Sequence, residues 1–153
     1  MKNYYTTRLV KSEDLNHHGT LFAGRMSEWF VEGCFIAAAN HHGNPEEIVC
    51  VKLHGMKFGK PARKGQIIQL TTQVVLTGNT SMTVYGKVTE IDGTEISVDG
   101  YITFVCVDEN GKKKPHGIPT PIPQNDEEAR IIEIDKKTNN IAYNFFINNS
   151  SYE

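Results

Sequence analysis

LFAGRMSEWFVEGCFIAAANHHGNP, residues 21 to 45, decides the fold. Phe22, Met26, Phe30, Gly33 and Ala37 recur at spacings of three and four, which places them on one face of an α-helix. Val31, Phe35 and Ala38 populate much of the opposite face. A helix apolar on several sides is a helix buried on several sides. The pattern predicts a helix from Leu21 to Asn40, ended by the breakers in His42-Gly43-Asn44-Pro45.

Outward from this helix the pattern turns to β. Tyr4 to Val10 is aromatic and β-branched and reads as a first strand; Lys11 to Gly19 is polar and reads as a loop. Downstream, Ile48 to Phe58, Gln66 to Leu76, Ser81 to Ile91 and Glu95 to Val107 are strand candidates. Gly59-Lys60-Pro61, Gly78-Asn79, Asp92-Gly93 and Asn110-Gly111 punctuate them. Asp92-Gly93 predicts a two-residue type I′ hairpin, whose central residues both need positive φ. A strand, a long helix and four strands joined by tight turns give an α+β domain, an antiparallel sheet wrapped around one central helix. This domain is assigned to residues 1–115. Lys112-Lys113-Lys114 reads as a solvated basic run. Residues 116–153 are read as a proline-containing linker and a C-terminal extension, since Pro115 to Pro123 holds four of the six prolines. Within the extension, Asp126 to Lys137 predicts a short helix with Asn125 as N-cap.

Composition narrows the function. Hydrophobic residues at 39% and charged residues at 22% fit a globular chain. A net charge of −2 lacks the concentrated basic surface that nucleic-acid binding needs. Cys34, Cys50 and Cys106 are odd in number, widely spaced and set in apolar stretches, so they read as buried thiols rather than disulfides or zinc ligands. His17-His18 and His41-His42 are adjacent pairs with no evident third ligand, so no metal is assigned. Met1 to Val10 lacks a signal-type apolar core, and no run reaches the roughly 18 apolar residues of a membrane span. The expected location is the cytoplasm, with no membrane partner.

Four blocks carry a family resemblance. Asn16-His17-His18-Gly19-Thr20-Leu21-Phe22-Ala23-Gly24 comes first, opening the helix. His54-Gly55-Met56-Lys57-Phe58 with Pro61 and Gly65, then Gly78-Asn79-Thr80-Ser81-Met82, then Tyr101 to Val107 with Asp108 and Gly111 follow in order. Together they resemble the hot-dog-fold acyl-CoA thioesterases. The resemblance implies an acyl-CoA thioester as substrate, coenzyme A only as part of substrate or product, and a homodimer or higher oligomer of dimers with its site at the dimer interface. It also implies a role for Asn16 in orienting water or substrate; an Asx-turn is the structural alternative.

The chemistry of thioester hydrolysis suits such a helix start. Charge develops on the carbonyl oxygen, and orphan N–H groups beside Gly24 would stabilise it. The alternative for Gly24 is close packing. A carboxylate is then needed to activate water. The family's usual acid falls at the seventh residue after Gly24, which here is Val31; Glu32 follows it. Within the apolar run Trp29 to Ala39, Glu32 is the candidate base, desolvated by its neighbours. The competing readings are a solvated Arg25/Glu28/Glu32 stripe and Asp14 as a different acid. Arg63 and Lys64 are candidates for the coenzyme A phosphates, and Thr80 and Ser81 for pantetheine or phosphate, with solvated turns as the alternative. A dehydratase or lyase pairing His18 with Glu32, and a non-catalytic acyl-CoA-binding protein, are the competing functions.

Overall fold

The computed structural model describes residues 1–149. Its elements are β1 (Tyr4–Leu9), α1 (Ala23–His42), β2 (Ile48–Lys57), β3 (Ile67–Thr77), β4 (Ser81–Glu90), β5 (Glu95–Cys106) and α2 (Asp126–Asn149). The strands form one antiparallel sheet in the order β1-β3-β4-β5-β2. The expected α+β architecture is therefore present, with α1 against one face of the sheet.

The helix starts two residues later than expected because Leu21 is held outside it: its N–H donates to Ala62 O at 2.8 Å, and it bridges to Leu15. It runs on through His42 because the stop is Gly43, which takes the left-handed conformation at φ 96° and donates its N–H to Ala39 O. Met26, Phe30, Gly33 and Ala37 face the sheet, and Phe30, Met82, Val84, Ile102 and Phe104 are fully buried between the layers. Two glycines permit this close approach. A Cβ at Gly33 would meet Leu70 Cδ2 at 2.1 Å, and one at Gly86 would meet the Phe30 ring at 2.8 Å.

The opposite face of the sheet carries Val75, Tyr85 and Tyr101, and α2 packs there through Ile131 and Ile132. Tyr101 donates its hydroxyl to Ile131 O at 2.9 Å. Asn125 caps α2 as expected, its Oδ1 accepting the Glu128 N–H at 2.8 Å. The helix is longer than expected, continuing to Asn149.

The Asp92-Gly93 hairpin departs from expectation. Glu90 N–H bonds Thr94 O, Gly93 N–H bonds Glu90 O, and Gly93 has positive φ, at 90°. This is a three-residue loop, a turn followed by a left-handed glycine. Asp92 Oδ1 accepts the Thr94 N–H at 2.9 Å, which holds the extra residue in place.

Candidate active site

Three segments meet at the start of α1. The loop Lys11–Leu21 leads in, the loop Gly59–Gly65 lies beside it, and Thr20 bridges to Arg63. No side chain caps α1 at Phe22, and the first intrahelical bond is Met26 N–H to Phe22 O at 3.0 Å. The N–H groups of Ala23, Gly24 and Arg25 precede that bond and form the positive end of the helix dipole. A cavity of about 180 Å³ lies here, lined by Asn16, Thr20, Ala23, Met26, Phe58, Lys60, Pro61 and Ile96 among others.

Asn16 lines this cavity and also makes the Asx-turn. Its Oδ1 accepts the N–H groups of His18 at 2.9 Å and Thr20 at 3.3 Å, and its Nδ2 donates to Thr20 Oγ1 at 3.2 Å. Beside Gly24 the Phe22 ring folds back, so that a Cβ at Gly24 would lie 2.5 Å from it. In this conformation the space opened by the missing side chain is filled by Phe22, which is itself 55% exposed.

One flank of α1 lines a second, larger groove of about 540 Å³, together with Cys50 of β2 and Phe104 of β5. Gly24, Ser27, Glu28, Val31, Glu32 and Phe35 contribute its helical wall. Val31 thus presents an apolar side chain where the resemblance places an acid. Glu32 is not desolvated as expected: its side chain is 53% exposed and pairs with Arg8 of β1 at 2.7 Å. Of its apolar neighbours in sequence, Phe30, Gly33, Cys34 and Ala37 are buried, while Val31 and Phe35 share the open groove with it. The anticipated stripe forms only in part, since Arg25 pairs with Glu28 at 3.2 Å while Glu32 reaches across to β1. Asp14 is buried and structurally engaged. It accepts the Lys11 N–H at 2.9 Å and lies 3.4 Å from Arg25 Nε.

Arg63 and Lys64 are exposed, and Lys60, which sequence reasoning passed over as part of a turn, lines the cavity near them. Its signal was only its place between Gly59 and Pro61. Thr80 and Ser81 do not join this cluster within one chain. Thr80 O accepts the Cys106 N–H at 2.7 Å, which places both residues at the far end of β5 from Ile96.

The cysteines divide. Cys34 and Cys106 are buried, and burial pushes the Cys34 thiol far above its usual range. Cys50 is exposed, contrary to expectation, because β2 is an edge strand with β5 on one side only. The same edge leaves Val49, Val51 and Leu53 at 45%, 51% and 47% exposed. His42, read from sequence without a third ligand, lies beside Glu47 and Cys106, their donor atoms all within 4.8 Å of one another.

A five-stranded antiparallel sheet wrapped round one long helix, with an uncapped helix start at a cavity, defines a hot-dog fold. Known proteins agree. Residues 18–97 match the family model described as the thioesterase superfamily. The uncharacterised acyl-CoA thioester hydrolase YkhA of Bacillus subtilis is 31% identical over 122 residues, covering 77% of this chain and 69% of that protein. An acyl-CoA hydrolase from Staphylococcus aureus, solved with butyryl coenzyme A and coenzyme A, superposes with a TM-score of 0.83 at 27% identity over 97% of this chain and 88% of its own. An apo-hexameric acyl-CoA thioesterase gives 0.80 at 32% identity over 90% and 88%. The chain belongs to the thioesterase superfamily, among its hot-dog acyl-CoA thioesterases, and its general activity is thioester hydrolysis.

Proposed function

We propose that the chain hydrolyses acyl-CoA to the free acid and coenzyme A at a site completed by a second copy across the open edge of β2. The observation that carries this is the apolar, unpaired edge of β2 beside the groove on α1. A second copy would cover that edge and wall the groove. The S. aureus hydrolase, solved with coenzyme A bound, and the hexameric thioesterase support the ligand and the assembly. The three thiols free in the structure suit the cytoplasm.

In this reading the substrate carbonyl sits at the start of α1. The N–H groups of Ala23 and Gly24 stabilise the oxyanion as water adds to the carbonyl carbon. Phe22 swings off Gly24 to admit the thioester. Glu32, released from Arg8, takes the water proton and Asn16 orients the water. The tetrahedral intermediate collapses with cleavage of the C–S bond, and the thiolate leaves to be protonated as coenzyme A. Lys60, Arg63 and Lys64 receive phosphate groups at the mouth. No step uses a metal ion, so chelator leaves turnover intact.

A second reading rests on Val31 and on the Arg8–Glu32 pair: acyl-CoA binding without catalysis. Thiol release from a panel of acyl-CoA substrates separates the two. Hydrolysis predicts saturable release at more than one chain length. Binding of acyl-CoA with no release above the uncatalysed rate supports the second.

A further inference from the structure

At the end of α1 remote from the thioester site, four segments converge. His42 closes the helix, Glu47 ends the 3-10 turn Pro45–Glu47, Cys106 ends β5, and Lys114 returns beside it. The backbone holds these segments together: Val107 N–H donates to Glu47 O at 2.8 Å, and Lys114 N–H to Cys106 O at 2.9 Å. His42 Nε2 lies 2.6 Å from Glu47 Oε2 and 3.5 Å from Cys106 Sγ, and Cys106 Sγ lies 3.9 Å from Glu47 Oε2. One ring nitrogen makes one hydrogen bond, as donor or as acceptor. Here the carboxylate oxygen and the sulfur both face that nitrogen, so that three donor atoms of three different ligand types close one small triangle.

We infer that His42 Nε2, Glu47 Oε2 and Cys106 Sγ form a site for a single divalent zinc-like ion. The two edges that end on sulfur, 3.5 and 3.9 Å, lie close to the roughly 3.6 Å that tetrahedral zinc requires. Tetrahedral zinc with its usual bond lengths places a sulfur and a nitrogen ligand about 3.6 Å apart, and nitrogen and oxygen about 3.4 Å. The sulfur–nitrogen edge of 3.5 Å already matches. The nitrogen–oxygen edge of 2.6 Å is the His42–Glu47 hydrogen bond and opens by under an ångström when the ion replaces it.

The chemistry of the set is coherent. Imidazole, carboxylate and thiolate together suit zinc rather than magnesium or calcium. On binding, the Cys106 thiol gives up its proton, and thiolate and carboxylate balance the two charges of the ion. Lys114 Nζ holds the other carboxylate oxygen, Glu47 Oε1, at 2.5 Å and so fixes Oε2 toward the site. Glu47 is 26% exposed at its side chain, which leaves a side from which water completes the coordination. Cys106 and Phe104 share the buried strand, so the sulfur is shielded from other thiols. The ion would pin the end of α1 to the end of β5. It is a structural site, separated from the uncapped helix start by about 30 Å of helix, and it stands whether or not the hydrolytic reading holds.

The test uses the full chain after chelation and dialysis. Zinc is titrated by calorimetry, and cobalt by absorption. The inference predicts one equivalent per chain and, for cobalt, tetrahedral visible bands with a thiolate charge-transfer band in the near ultraviolet. Cys106→Ser removes that band, and Cys50→Ser keeps it. Loss of an outer partner of a metal ligand typically costs about 10–100-fold in affinity; His42→Gln and Glu47→Gln, which remove ligands, should each lose at least that much. These two side chains are partly exposed, so the variants remain informative if Cys106→Ser fails to fold. Absence of micromolar zinc binding would overturn the site. So would binding without a thiolate band, or binding that His42→Gln and Glu47→Gln leave unchanged while His17→Ala/His18→Ala abolishes it.

Discussion

Glu32 sits one residue past Val31 and is held by Arg8 at 2.7 Å. If it is the general base, Glu32→Gln keeps the fold and lowers kcat by about 10²- to 10⁴-fold. kcat and kcat/KM should fall together, as for an interaction made only in the transition state. Glu28→Gln, paired with Arg25 on the same flank, should leave kcat near wild type. Val31→Asp restores a carboxylate to the groove wall and should raise the activity of Glu32→Gln. Full turnover in Glu32→Gln combined with its loss in Asp14→Asn would move the acid to the loop. At this scale the sequence was legible for kinds of residue and not for partners. Asn16 and Gly24 stood out through the family resemblance. The Arg8–Glu32 pair spans 24 positions and depends on how β1 crosses α1. The exposure of Cys50 depends on β2 having no outer neighbour among the described residues. Neither relation is written in local pattern.

The elements were legible because each carries a local cause. The spacing of Met26, Phe30, Gly33 and Ala37 and the stop at Gly43 fixed α1 to within two residues at each end. The turn residues that punctuate the strand candidates located β2 to β5 to within about a residue. The hairpin at Asp92-Gly93 is one residue longer than the dipeptide predicts, and the Asp92 side-chain bond to the Thr94 N–H accompanies the longer loop. The reach of α2 was missed because its later residues lack a strong apolar period.

Gly33→Ala forces Leu70 aside, and overpacking of this kind costs about 1–3 kcal/mol. The urea midpoint should fall with its slope unchanged; an unchanged midpoint would mean that Leu70 has room to move. The docking of α2 should depend on acid. The Gln124 N–H, and then the Met1 ammonium, hold the Glu128 carboxyl below its usual 4.5. Its contribution is therefore complete above that value and is lost as pH falls through the lower, folded-state value. Amide exchange in α2 should quicken in that window, and Glu128→Gln should flatten the dependence. The same acid response in Glu128→Gln would assign it to another group.

The sheet has one apolar edge, at β2, left unpaired among the described residues, and a site shared between copies needs that edge covered. A second copy, related by two-fold symmetry, is the simplest cover. Wild type should scatter light as a dimer or a multiple of one. Leu53→Asp, a charge placed on an edge residue 47% exposed, should give monomers and abolish thiol release together. Monomers that retain full turnover would place the whole site in one chain.

Sharing of the site between copies is tested most directly by subunit mixing. Within one chain, Asn16 lines the cavity at the helix start while Glu32 lines the groove on its flank. Asn16→Ala and Glu32→Gln homo-oligomers should each be nearly inactive in thiol release. If Asn16 of one copy serves with Glu32 of the other, each mixed dimer contains one intact site. Unfolding the two variants together and refolding them in equal amounts should then recover roughly one quarter of wild-type activity, from half the dimers with one of two sites working. Activity no greater than the sum of the two separate variants would contradict a shared site.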